Sequence, residues 1–222
     1  MEQFVSQTQP VEGQTHTIAN PIPLGMLALA FTTALIGASF AHFLVPTLRN
    51  GIALTVSSAI FLGGVVQILA GMWEFRRNNT STATLFSAYG GFLIAFGVLF
   101  LPTFGLSGFL GIDNVTVNHA LGLLLLCWTI CSAVLFLGIL GTNLLTGLVL
   151  GLLCLCYLFL SIGQFANGNS VLLAIGGWIA IACALVAWYV ALAAMLRPAG
   201  VREPLSGPTD TSMRSTGYPG YQ

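Results

Sequence analysis

The chain has 222 residues, of which 56% are hydrophobic and 5% are charged, with a mean hydropathy of +0.93 and no formal net charge. An average soluble domain is about a quarter charged, so this composition excludes the soluble classes and predicts a polytopic membrane protein. Lysine is absent and the few charges balance, which argues against a nucleic-acid partner and against an electrostatic role at an anionic lipid surface.

Six apolar segments follow one another, and each is long enough to cross about 30 Å of hydrocarbon. They make up one transmembrane domain, residues 20–196, between polar tails at 1–19 and 197–222 that we expect to be disordered. Six spans place both tails on one side. That side carries five of the six arginines, so the positive-inside rule predicts that both tails are cytosolic. The predicted spans are 21–45, 52–73, 83–101, 117–140, 144–165 and 171–196.

The first span begins at two prolines, Pro21 and Pro23, directly after Asn20. Proline is tolerated in a first helical turn because the N–H that it lacks would have no intrahelical partner there. The residue before a proline is pushed out of helical geometry. Asn20 is therefore predicted to cap the first helix.

Small residues at close-packing spacing mark the second and fifth spans. Gly63, Gln67 and Gly71 recur every four residues, and Gly147 precedes Gly151 by the same interval. Such faces let helix backbones approach one another, within a bundle or between subunits. Gln67 lies about 10 Å inside the predicted cytosolic end. Its amide needs either a partner on a neighbouring helix or a wet cavity, and the sequence leaves both open.

Charged side chains are absent from the interior of every predicted span. No span has Asp, Glu, Lys or Arg near its centre, which removes the usual residues of proton relays, cation sites and voltage sensors. Glu74 is expected to pair with Arg77 or Arg76 at the membrane boundary, and His42 and His119 are expected to be interfacial.

Catalysis and metal binding are not predicted. Gly105–Gly108 resembles the serine motif of intramembrane proteases, but Ser107 lies in a loop and His119 is the sole histidine downstream. We therefore predict no enzyme activity and no catalytic residue. The cysteines have no metal-binding spacing, so they are expected to be small core residues, and no metal or cofactor is expected. These cysteines are Cys127, Cys131, Cys154, Cys156 and Cys183.

The ordered motifs resemble one family, the acetate uptake transporters, which include the bacterial succinate-acetate permease and the fungal acetate and ammonia-export proteins. The resemblance covers about residues 20–196. Its motif residues are Asn20, Pro21, Pro23, Leu24 and Gly25, then Thr32 and Thr33, then Gly63, Gly64, Gln67, Ala70, Gly71 and Glu74, then Asn79, Thr80, Tyr89, Gly90 and Phe92, and finally Gly177, Trp178, Ala187, Trp188 and Tyr189.

This resemblance implies six helices per subunit, a hexamer, and a separate pore through each subunit. By position, the apolar constriction of that pore falls on Leu29, Tyr89 and Leu153, with Gln67 and Ala187 also on the substrate path. The family usually has Phe at the first of these positions. Leu29 is therefore a departure that bears on selectivity, as are Ser81 and Leu93 in place of a Phe and a Trp.

The function that the resemblance implies is plasma-membrane transport of acetate and similar small carboxylates, including succinate, linked to protons. Because no ionisable side chain lies at mid-membrane, we hypothesise that the proton travels with the substrate. The substrate would be either the neutral acid or an anion on a dipole-lined path. One alternative is an uncoupled channel for small anions or neutral solutes such as ammonia. Another is a membrane sensor or assembly protein whose tails bind a partner.

Overall fold

The computed structural model of the chain describes residues 18–43, 55–101, 114–141 and 143–196. In those residues the chain forms six long helices and no strand. All six are long and apolar enough to cross a membrane, which confirms the predicted all-helical membrane fold. The helices are α1 (Ile22–Phe40), α2 (Thr55–Arg76, π-helical over Ala59–Val66), α3 (Thr80–Leu99), α4 (Asn114–Ile139), α5 (Leu144–Phe165) and α6 (Ser170–Met195).

The six helices form a closed ring. Each packs against its neighbours in the chain, and α6 returns to make an extensive contact with α1. The slightest of these contacts joins α3 and α4. Helices on opposite sides of the ring make no comparable contact within the described residues, so the side chains that point inward meet along a common axis.

The two ends of the ring differ in polarity. One end holds the start of α1 and the end of α2, with Asn20, Arg76 and Arg77, and is called the basic end. At the other end, the distal end, the C-terminal turn of α1 meets the start of α2 through hydroxyl groups of Ser39 and Thr55 that lie 3.1 Å apart. The predicted tails, 1–19 and 197–222, lie almost entirely outside the described residues.

The helix bounds differ from the predicted spans at four places, one of which is the start of α4 at Asn114 rather than at residue 117. The first helix ends at Phe40 rather than at residue 45, and His42 takes a left-handed backbone conformation. The second helix continues past residue 73 to Arg76, so Glu74 belongs to a helix and not to a polar loop. The third begins at Thr80 rather than at residue 83. Asn79 explains this early start, because its side chain accepts the N–H of Thr82.

Asparagine side chains set the start of several helices. Asn143 Oδ1 accepts the N–H groups of Leu145 and Thr146, and Asn169 caps α6 in the same way. Asn20 stands one position before the formal cap, Pro21, yet its Oδ1 accepts the Ile22 N–H at 3.1 Å. These bonds satisfy donors that a helix start would otherwise leave unpaired.

The contact between α1 and α6 depends on two glycines. A Cβ atom on Gly177 would lie 2.5 Å from the backbone nitrogen of Ala41 and 2.7 Å from the carbonyl oxygen of Gly37. A Cβ atom on Gly37 would meet the Gly177 carbonyl oxygen at 2.7 Å. Backbone atoms cannot rotate away as side chains do, so neither position accommodates a larger residue.

Gly177→Ala should therefore lower the stability of the solubilised protein by about 1 to 3 kcal/mol, the usual cost of overpacking a close contact. The matched control is Gly91→Ala on α3, where an added Cβ has no neighbour within 4 Å and alanine favours the helix. Thermal unfolding in detergent, followed by size-exclusion chromatography, measures the difference. Equal stability of the two variants would contradict the close approach of α1 and α6.

Candidate functional site

A polar cluster lies at the basic end and joins three helices. Arg77 Nη1 donates to Glu74 Oε1 at 2.8 Å and to Asn20 Oδ1 at 2.9 Å. Asn79 Nδ2 donates to the other carboxylate oxygen, Glu74 Oε2, at 2.5 Å. The Glu74 side chain is wholly buried, whereas Arg77 is 32% exposed. The predicted pairing of Glu74 with an arginine is thus present, and the motif residues Asn20, Glu74 and Asn79 are brought together.

A layer of buried side chains crosses the ring closer to its middle. Each of the six helices contributes one residue, at a depth between about 10 and 14 Å from the basic end. None of the six side chains is charged, and each is at most 1% exposed. The axis is therefore closed here. This set, called the closed layer, consists of Leu29, Gln67, Tyr89, Ser132, Leu153 and Ala187.

Polar groups in the closed layer are unequally satisfied. The Tyr89 hydroxyl donates to Ser132 Oγ at 2.9 Å. This bond joins α3 to α4, the neighbouring pair of helices with the least extensive contact. The Gln67 amide is fully buried, and neither Nε2 nor Oε1 has a hydrogen-bond partner. Of the two possibilities that the sequence left open for Gln67, the structure thus gives its amide no bonding partner on a neighbouring helix.

An aromatic cluster lies one turn further toward the distal end. Phe92 stacks on Trp128 with ring centroids 4.2 Å apart and meets Tyr157 edge-on at 5.5 Å. Tyr89 contacts the Trp128 ring at 5.1 Å, so the cluster is continuous with the closed layer. The Trp128 indole lies beside the Tyr157 hydroxyl, but its buried N–H has no aligned acceptor.

A cavity of about 140 Å³ lies beyond the aromatic cluster at the distal end. Phe96 and Phe100 form part of its wall, and its polar groups are amides and hydroxyls with no charge. Gln164 is 7% exposed, and its Oε1 has no hydrogen-bond partner. Such a cavity suits a small solute that carries both polar and apolar atoms. The polar residues on its wall are Ser39, Thr55, Asn118 and Gln164.

The remaining predicted residues lie outside the polar cluster and the closed layer. Gly25 packs on the Phe86 ring, and Gly63 lies against Thr32 of α1 and Leu93 of α3. Exposure differs among the others: Thr33 is buried, Leu24 and Thr80 are exposed, and Ser81 and Pro23 are half-buried. His42 and His119 are exposed at the distal end. No group of residues that could hold a metal occurs in the described ranges.

Several residues of this site were missed by the sequence interpretation, among them Ser132, Trp128, Gln164 and Arg77 in its link to Asn20. Gln164 carried a usable signal, since it is an uncharged amide inside an apolar span, as Gln67 is. The other three carried none. A serine or a tryptophan in an apolar span is ordinary, and the bond from Arg77 to Asn20 joins residues 57 positions apart.

Comparison with known protein families identifies the chain. Residues 3–201 match the model of the GPR1/FUN34/yaaH family. The chain belongs to the GPR1/FUN34/yaaH family. Among its relatives, the Succinate-acetate/proton symporter SatP of Escherichia coli strain K12 is 32% identical over 180 residues. That alignment covers 81% of this chain and 89% of SatP.

Two other members extend the comparison. The Ammonia transport outward protein 2 of Saccharomyces cerevisiae is 33% identical, and the match covers 80% of this chain but 62% of the yeast protein. The chain therefore spans less than two thirds of that relative's length. The solved structure of the bacterial acetate channel SatP superposes with a TM-score of 0.71 at 28% identity, covering 81% of this chain and 93% of that one. Family membership confirms the predicted resemblance.

The polar cluster at the basic end gives a stability prediction. Arg77→Met should lower stability by about 2 kcal/mol, between the values for exposed and buried pairs, because the buried Glu74 carboxylate loses its guanidinium partner. The double variant Arg77→Met/Glu74→Gln should regain most of that loss, since no uncompensated charge stays buried. Arg76→Met, next in the chain and stacked over Trp73, is the control. If the double variant is no more stable than Arg77→Met, the charge pairing is not what holds the cluster.

Proposed function

We propose that this membrane protein transports acetate and similar small carboxylates, including succinate, along the axis of its six-helix ring, with uptake linked to protons. The observation that carries the proposal is the closed layer, an uncharged constriction with one residue from every helix. It lies between polar groups at the basic end and an uncharged cavity at the distal end. Relatives named as an acetate channel and a succinate-acetate/proton symporter support the substrate class.

In this proposal the residues of the closed layer have distinct roles. Leu29 and Leu153 form the apolar constriction, which impedes water and ions until a substrate enters. The Gln67 amide and the Tyr89 hydroxyl replace hydrogen bonds that the carboxyl group makes to water, because an unsolvated polar group is costly in an apolar site. Ala187 keeps one side of the layer small. These roles rest on position and burial, together with the resemblance on which they were first assigned.

A second candidate is an uncoupled channel for small anions or for a neutral solute such as ammonia. The names of two relatives favour it, one being a channel and the other an outward transporter of ammonia. It differs from the first candidate in one observable. An uncoupled channel lets solute equilibrate but does not concentrate it when a pH gradient is imposed.

We further propose the location of the protein, its orientation in the membrane and its assembly. The protein resides in the plasma membrane with the basic end and both tails in the cytosol, on the argument of the positive-inside rule. It acts as a transporter and not as an enzyme, as its family relatives do. It assembles as a hexamer, as the resemblance implies. The exposed side chains of Trp178, Trp188 and Tyr189, all on α6, support this because these motif residues face away from the ring.

Radiolabelled acetate uptake into proteoliposomes tests the function, with protein-free liposomes as the control because neutral acetic acid crosses lipid. Under an inward proton gradient, we expect an initial rate of accumulation above that control. Leu153→Ala should change the rate several-fold because it removes a wholly buried side chain from the constriction. The matched control is Leu155→Ala, two residues further along α5 and 48% exposed, which should leave the rate unchanged.

The possible outcomes separate the candidates. Accumulation that collapses when the pH gradient is dissipated supports proton-linked transport. Equilibration without accumulation supports the channel, and uptake no faster than protein-free liposomes would sink the acetate proposal. Equal effects of Leu153→Ala and Leu155→Ala would show that Leu153 is not on the path.

The assembly prediction is independent of transport. Native mass spectrometry of the detergent-released protein should give a mass of six chains of 23.4 kDa. The double variant Trp178→Ala/Trp188→Ala should shift that mass toward smaller species if the α6 surface forms the subunit interface. A wild-type monomer or dimer would rule the hexamer out.

A further inference from the structure

The Gln67 amide is the least satisfied polar group in the described part of the chain. Both of its hydrogen-bonding atoms are buried and unpartnered, and its side chain is 0% exposed. The amide is unsatisfied whichever of its two terminal atoms is the nitrogen, because neither has a partner. Leaving a buried amide unpaired costs free energy of folding. An amide that stays unpaired in the folded protein therefore indicates a site that a ligand completes.

In the described residues, no charged side chain near Gln67 could pair with a bound ion. The helices that pack against this part of α2 are α1 and α3, and their only titratable side chain is Tyr89, whose hydroxyl donates to Ser132. On α2 itself, Glu74 lies two turns nearer the basic end and is paired with Arg77. His42 and His119 lie at the distal end. An anion at Gln67 would therefore find no positive charge to offset its desolvation.

The shape of the amide indicates which species fits. A carboxamide offers one acceptor and a donor side by side. An undissociated carboxylic acid offers the complement, an O–H donor and a C=O acceptor, so the two groups form a pair of parallel hydrogen bonds. A carboxylate has acceptors alone. It can take a hydrogen bond from Nε2 but faces the lone pairs of Oε1, which stay unpaired.

We propose that Gln67 recognises the undissociated acid, R–COOH, through this two-point pair and so selects the substrate together with its proton. The inference rests on the proposed transport function and specifies its substrate. The proton crosses bound to the carboxyl oxygen and leaves with the acid on the far side, so no side chain is protonated or deprotonated. Proton-linked uptake then requires no ionisable residue at mid-membrane.

The pH dependence of the Michaelis constant tests the proposal. Acetate uptake is measured in proteoliposomes with the same pH on both sides, from about pH 5 to about pH 7, above the usual range of carboxyl pKa values. The KM expressed as total acetate should rise about tenfold per pH unit, while the KM expressed as undissociated acid stays constant. The variant His42→Gln/His119→Gln should keep the same slope, since the substrate titrates and not the protein.

Acetamide provides a probe that does not titrate. It is neutral, is close to acetic acid in size and carries the same donor and acceptor pair, so it should compete with acetate with a pH-independent inhibition constant. Gln67→Leu should lose that competition and reduce acetate uptake at least about tenfold. Its thermal stability should equal or exceed that of the wild type, because an apolar side chain replaces an unpaired buried amide.

The outcomes distinguish this inference from the function on which it rests. Uptake no faster than protein-free liposomes overturns the transport proposal. Uptake with a KM for total acetate that does not change with pH overturns the selection of the acid and leaves transport standing. A Gln67→Leu variant that is less stable than the wild type, or that acetamide still inhibits, shows that the amide has a structural partner and also overturns the inference.

Discussion

Inside the hydrocarbon of a membrane, no water is available to satisfy a polar group, so hydroxyls and amides must find partners within the bundle. Most do so across helix contacts. Thr32 Oγ1 donates to the Ser58 carbonyl, and Ser161 Oγ donates to the Gly122 carbonyl. The unpaired buried groups of the described residues include Gln67, Trp128 and Gln164. Those three lie in the closed layer, the aromatic cluster and the distal cavity. A fourth unpaired group, the Ser87 hydroxyl, lies at the contact of α3 with Gly71 of α2.

The six-helix fold could be predicted from the sequence because hydropathy and length alone determine spans of this kind. Helix ends were less predictable. Glu74 was assigned to a loop since charged residues usually leave the membrane, but its carboxylate is held by Arg77 and Asn79 inside the last turn of α2. The π-helical segment of α2 also had no signal, because its residues are as apolar as their neighbours.

The site was predictable to the extent that it depends on recognised motifs. Leu29, Tyr89 and Leu153 were assigned to a constriction by resemblance; all three are buried, and the constriction itself stays a prediction. Contacts between distant residues could not be deduced. The bond from Tyr89 to Ser132 joins residues 43 positions apart, and nothing in local sequence distinguishes Ser132 from other serines. One relative is named a symporter and another a channel, and the two names need not conflict. A pore that admits only a neutral acid carries the acid's proton without a separate coupling step.

The polar cluster at the basic end has a consequence for the order of synthesis. Asn20 begins the first helix, but its guanidinium partner, Arg77, follows 57 residues later. When α1 enters the bilayer, that partner has not yet been made. The second helix, in contrast, carries Glu74 and Arg77 one turn apart and brings its own neutralised pair. Completion of α2 therefore gives the start of α1 its first polar partner, whereas the larger contact of α1 forms only when α6, the last helix, has been made.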